Sequence, residues 1–204
     1  MLKELINQEQ VTEFKELNEK LTMEEYLDKV KNNPNIIRNS FQRTADMIMS
    51  YGTEVTGKGD RKKVHYNFFN DTISDNPEEH GKDAIFGIDK NLAEIVRFFR
   101  NAAMGYGSQK RILLLHGPVG SAKSSIARLL KRGLEKYSKT NDGVMYTYEW
   151  VDDEKSDILG GETVFPSPMN EDPLKLLDEK TRRKFIDQLD KGKTNYPKNL
   201  KVKG

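Results

Sequence analysis

No cysteine occurs in the chain of 204 residues. That excludes a disulfide scaffold, a thiol nucleophile and a thiolate zinc site, and it fits a reducing compartment. Histidine is scarce as well: His65, His80 and His116 stand far apart, without the spacing of metal ligands. No apolar run approaches the roughly 18 to 20 residues a membrane-spanning helix needs. The first residues carry acids and no long apolar stretch, unlike a secretory signal, so the expected location is the cytoplasm. A dominant charge is also missing. The 34 basic and 32 acidic residues leave a net charge of +2, which argues against a dedicated nucleic-acid binder.

What is present centres on residues 111–126. Ile112 to Leu115 form a short unbroken apolar run, the pattern of a strand buried on both faces of a parallel sheet. Ile126, Leu129, Leu130, Leu134 and Tyr137 then recur at helical spacing, and Gly133 and Ser138 mark where that helix weakens and stops. Between strand and helix lies Gly117-Pro118-Val119-Gly120-Ser121-Ala122-Lys123-Ser124, a Walker A pattern. In such a loop, backbone N–H groups and the positive end of the helix converge on an oxygen anion such as a nucleotide phosphate. Lys123 would reach the β- and γ-phosphates, and the Ser124 hydroxyl would be a ligand for Mg²⁺. The implied cofactors are ATP and Mg²⁺. Ala122 stands where the pattern asks for glycine, which is tolerable if its φ is negative.

The flanking segments read more simply. Residues 1–52 suggest two or three helices. Thr22 and Glu25 form a capping box ahead of the stripe Met23, Tyr26, Leu27 and Val30, and Asn33-Pro34 closes that helix. A second stripe, Ile37, Phe41, Ala45 and Ile48, ends at Tyr51-Gly52. Residues 53–63 read as a solvated turn, Val64 to Phe69 as a strand or extended arm, and 70–83 as a poorly ordered surface loop. Asp89 is placed to cap a helix bearing Leu92, Ile95, Val96 and Phe99. Val144 to Asp153 reads as a half-exposed strand. Its terminal Asp152-Asp153 is set aside as a Walker B pair, because the strand alternates with Thr147 and Glu149 and follows the helix too soon. Phe165 to Leu174 is extended, Asp178 to Leu189 a short amphipathic helix, and the lysine-bearing end from Lys191 a frayed tail.

Two resemblances extend this reading. Phe86-Gly87-Ile88 resembles the hydrophobic-Gly-hydrophobic element that wraps the adenine in AAA+ ATPases, among which Ala-Lys-Ser variants of the Walker loop also occur. From about residue 20 to 190 the chain resembles the N-terminal AAA-type module of the PrkA family of bacterial serine protein kinases. The resemblance rests on Phe86-Gly87-Ile88, on Gly117 to Ser125, on Leu129-Leu-Lys-Arg-Gly-Leu-Glu-Lys-Tyr-Ser138 and on Pro168-Met-Asn-Glu-Asp-Pro-Leu174. Residues 70–83 look like an insertion relative to the family, and the chain stops before the rest of the module and its kinase-like C-terminal domain.

The resemblance implies an α/β fold: a three-layer P-loop NTPase core of AAA type, incomplete at its C-terminal side, with N-terminal helices beside it. The expected division is a helical region at 1–60, a partial ATP-binding domain at 61–190 and a basic tail at 191–204. The implied activity is that of an ATP-dependent serine/threonine protein kinase with a seryl protein substrate and an option to self-associate. The nucleotide-binding residues would be Phe86, Gly87, Ile88 and Gly117 through Ser125, with Ser124 on the metal. No catalytic residue is assigned, and Gly-x-Gly-x-x-Gly, His-Arg-Asp and Asp-Phe-Gly are all absent. Two alternatives stay open: a nucleotide-driven assembly or regulatory module without kinase activity, and a truncated product without activity.

Overall fold

The computed structural model describes residues 18–57, 63–151 and 164–191. Helix α1, Met23–Asn32, begins at the expected capping box. The Thr22 hydroxyl accepts the Glu25 N–H at 3.3 Å, and the Glu25 carboxylate accepts the Thr22 N–H at 2.7 Å. The helix stops at Asn33, whose side chain caps a 3₁₀ turn at Pro34–Ile37 and also donates to the Asn141 carbonyl at 2.8 Å. Helix α2, Ser40–Ser50, opens on a second capping box, Asn39 with Gln42. Its Arg43 is buried and donates to the carbonyls of Gly143 and Val144, which ties α2 to the turn near residue 143.

Residues 53–56 depart from the expected solvated turn. Strand β1, Thr53–Thr56, pairs antiparallel with β2, Lys63–Tyr66, in the register Thr53 opposite Tyr66 and Thr56 opposite Lys63. The chain then tightens into a 3₁₀ turn at Asn67–Asn70, so the extended arm expected to reach Phe69 stops at Tyr66. This turn buries both Phe68 and Phe69, whereas a strand would have sent them to opposite faces.

Helix α3, Asp89–Ala103, buries Leu92, Ile95 and Val96 as its stripe requires. Helix α4, Lys123–Ser138, buries Ile126, Leu129 and Gly133. With Met47 and Ile48 of α2 and the two phenylalanines, these faces form the main core. Gly133 is part of that packing, and the helix continues past it to Ser138. A Cβ there would lie 2.6 Å from a Phe68 ring carbon and 2.7 Å from the Met47 sulfur. A helical glycine costs about 1 kcal/mol in propensity, a cost accepted here for the close approach of helix to ring.

A second core gathers Tyr26, Val30, Ile36, Leu174 and Leu189. The Tyr26 hydroxyl donates to Asp172 at 2.9 Å, and its ring meets Tyr146 edge-on at 5.6 Å. Helix α5, Glu179–Lys191, is capped by the Asp178 carboxylate, which accepts the N–H groups of Lys180 and Thr181 at 3.0 Å. Strand β3, Glu149–Val151, pairs antiparallel with β4, Val164–Pro166. Among the described residues of the expected strand from 144, these three alone are in a ladder; Val144 and Tyr146 instead pack on the second core. Asp152-Asp153 and the tail from 192 lie outside the described residues.

The principal correction concerns Ile112 to Leu115. Among the described residues the only sheets are the two antiparallel pairs, and this run joins neither. Ile112 is 94% exposed and Leu114 79%, while Leu115 packs against the main core. A buried parallel strand requires neighbours on both edges and helices on both faces, and the described residues supply no strand beside this one. No helix among them is long and apolar enough to cross a membrane.

Candidate nucleotide site

The loop that begins at Gly117 follows the exposed run directly. A Cβ on Gly117 would lie 2.8 Å from the Ser121 hydroxyl oxygen, so any larger residue there would turn that hydroxyl away. Ser121 donates to the Pro118 carbonyl at 2.7 Å, and Gly120 takes a φ of +80° that suits a residue without a side chain. Ala122 precedes α4 with φ 59° and ψ 11°. The condition of a negative φ is not met: the backbone here takes the left-handed region, and the alanine bears the strain. Its methyl packs against the main core, which offsets part of that cost. Ala122→Gly is therefore expected to raise stability by about 0.5–1 kcal/mol, read as an upward shift of the urea midpoint with unchanged slope.

Helix α4 starts without a side-chain cap, so its first N–H groups and its positive end face the loop. The Lys123 ammonium folds back over the loop and donates to the Gly117 carbonyl at 2.9 Å, the Pro118 carbonyl at 2.5 Å and the Ser121 hydroxyl at 2.9 Å. Val119 is fully exposed at the tip and Ser124 is exposed on the first turn. The Ser125 hydroxyl accepts from Arg128 at 3.2 Å. An uncapped helix start, a cation gathered by three oxygens and the exposed Ser124 make a donor set that fits a phosphate oxyanion.

The second predicted element sits at the start of α3. Ile85 is buried and donates its N–H to the Phe69 carbonyl at 3.0 Å; Phe86, next to it, is 73% exposed. Ile88 caps α3, and Ile88, Leu115 and Ala122 all pack against the main core, so both predicted elements border one packed unit. Asp89 is the first residue of the helix and not its cap. Its carboxylate turns instead to His65, 2.8 Å from Nδ1, while Asn70 Oδ1 lies 2.8 Å from Nε2.

Two oxygen acceptors facing both ring nitrogens favour the doubly protonated imidazolium, and these bonds, that to Asp89 foremost, hold the His65 pKa above its usual 6.5. A raised folded-state pKa gives stability that is complete below the unfolded value, near 6.5, and is lost as pH rises through the folded value. Urea unfolding across that range is expected to show this loss in the wild type and not in His65→Gln.

Sequence reasoning missed a set of ion pairs. Arg128, Arg132 and Lys136 recur every fourth residue along α4 and face acids of the 70–83 segment. Arg128 holds both carboxylate oxygens of Asp83, with Nε 3.2 Å from each. Arg132 lies 3.3 Å from Asp71 and 3.6 Å from Asp83, and Lys136 meets Asp75 and the Ile73 carbonyl. Asp71 is wholly buried and Ile73 nearly so; the segment expected to be a loose loop is strapped to the helix. The only available signal was the basic spacing on α4, which equally describes a solvated face.

The PrkA AAA domain family matches residues 21–197. The chain is 32% identical over 166 residues to a Bacillus subtilis protein named ATP-dependent protease PrkA, covering 80% of this chain and 21% of that one. It is 29% identical over 115 residues to the serine/threonine kinase YeaG of Escherichia coli K12, covering 56% of this chain and 17% of that protein. The chain thus spans about a fifth of the length of these relatives. No solved structure matches it. The chain belongs to the PrkA AAA domain family, and membership implies a P-loop NTPase fold and nucleotide binding.

Proposed function

We propose that this member of the PrkA AAA domain family is the ATP-binding portion of a PrkA-like serine/threonine protein kinase, taking Mg²⁺-ATP on the loop from Gly117 to Ser125. The observation that carries the reading is Lys123 at the uncapped start of α4, its ammonium gathered by three loop oxygens. Phosphate oxygens are stronger acceptors for that cation than carbonyls, so bound ATP would take over those contacts. Backbone N–H groups at the helix start would hold the phosphate, and Phe86, Gly87 and Ile88 would lie against the base.

The described residues hold no cluster of three or more His, Asp or Glu side chains able to bind a metal. Mg²⁺ would take the Ser124 hydroxyl and phosphate oxygens, and when bound it would neutralise charge on the phosphates. The kinase part of the proposal is supported by the name of the Escherichia coli relative. On this reading the ATP-binding domain expected at 61–190 takes in part of the first 60 residues as well, since α2 shares its main core and β1 pairs with its β2.

A second reading, an assembly module that changes partner contacts on binding ATP, is favoured by the exposed Ile112 and Leu114, an apolar surface suited to a protein partner. Incubation with γ-labelled ATP and a seryl protein separates the two. Label on serine supports the kinase; a change in molecular mass on adding ATP, with no label transferred, supports the module.

A further inference from the structure

We propose that Asp83 and Arg128 are positioning residues that hold the base-binding element in register with the phosphate loop. This rests on the Mg²⁺-ATP reading of the site. Asp83 stands just before Ile85 and Phe86, and its backbone N–H donates to Asp71 Oδ2 at 2.9 Å. Asp71 is fully buried, and its carbonyl accepts the Gly81 N–H at 3.0 Å. The Ile85 N–H goes to the Phe69 carbonyl. The backbone leading into Phe86-Gly87-Ile88 is thus fixed at several points.

From this anchored stretch the Asp83 carboxylate reaches across to Arg128, whose fork takes both oxygens, and Arg128 Nη2 donates onward to the Ser125 hydroxyl at 3.2 Å. A continuous path therefore runs from the segment before Phe86 to the end of the phosphate loop, between residues 45 apart in sequence. The Arg128 side chain is 56% exposed, so the pair adds little to stability; what the planar fork supplies is direction. The hydrogen bond from Arg128 also lowers the pKa of the Asp83 carboxyl from its ordinary value, in keeping with a charged bridge.

A ligand with both a base and phosphates needs the two elements at one separation, whereas inorganic triphosphate needs the loop alone. Titrations of the full chain with Mg²⁺-ATP and with Mg²⁺-triphosphate test this for the wild type, Asp83→Asn and Arg128→Gln. Each variant is expected to bind ATP about tenfold more weakly and triphosphate within about twofold of wild type. Equal loss of both ligands, or no loss of either, in a variant that folds by circular dichroism would overturn the proposal. Should Asp83→Asn unfold, Arg128→Lys serves in its place. It keeps the charge without the fork, and is expected to lose ATP affinity selectively. A folded wild type that binds triphosphate but not ATP contradicts the base-binding element itself and this inference with it; one that binds neither removes the Mg²⁺-ATP reading. Wild type that binds ATP beside variants that bind it equally well refutes only the positioning role.

Discussion

Lys123→Ala is expected to weaken ATP binding by at least about a hundredfold while leaving the fold intact. Charge-assisted hydrogen bonds contribute about 1.5–3 kcal/mol each, and loss of two to phosphate oxygens amounts to about 3 kcal/mol or more. The same side chain does little for folding. Its present partners are two loop carbonyls and a hydroxyl on an exposed loop, where water replaces the ammonium readily. The expected stability change is within about 0.5 kcal/mol. Calorimetric titration beside urea unfolding of the same variant checks both halves, and a loss of binding that accompanied a loss of stability would contradict this division of labour.

Phe68→Ala is the opposite case, with a cost of about 3–5 kcal/mol in stability. Phe68 has no exposed surface. Its ring meets Tyr51 edge-on at 5.4 Å and Phe69 at 5.2 Å, and Gly133 of α4 lies against it. Truncation would leave a cavity where α2, the turn at 67–70 and α4 converge, and the loss would be a large part of the 5–15 kcal/mol typical of a domain. A urea-unfolding loss below about 1 kcal/mol would show that the site collapses around the smaller residue.

The features legible in the sequence were those set within a few residues. Thr22 and Glu25 are three positions apart, and the capping box they form was readable directly. Asn39 and Gln42 form the same box at the same spacing, but the capping-box pattern is written with Ser or Thr at the first position, and asparagine lies outside it. The stripes of α3 and α4 announce their buried faces by period alone. The fate of Ile112 to Leu115 was not legible, because four apolar residues record only that they suit burial; whether they are buried depends on strands elsewhere.

The same limit applies to the 70–83 segment. Its Asp, Asn, Ser and Pro residues resemble any solvated loop, and the partners that strap it down lie 45 and 61 residues later. Within the site, the Walker pattern located Lys123 and the loop. It did not reveal that Ala122 would take a positive φ, since the pattern records which residue usually stands there and not how much strain a substitute will bear. Asp83, Arg128 and His65 carry no motif and could be found only from their contacts.

Calorimetric titration of the full chain with ATP, in the presence and absence of Mg²⁺, tests the central claim most directly. The account predicts saturable binding at one site, tighter with Mg²⁺. A chain shown by circular dichroism to be folded that takes up no ATP under either condition would contradict it.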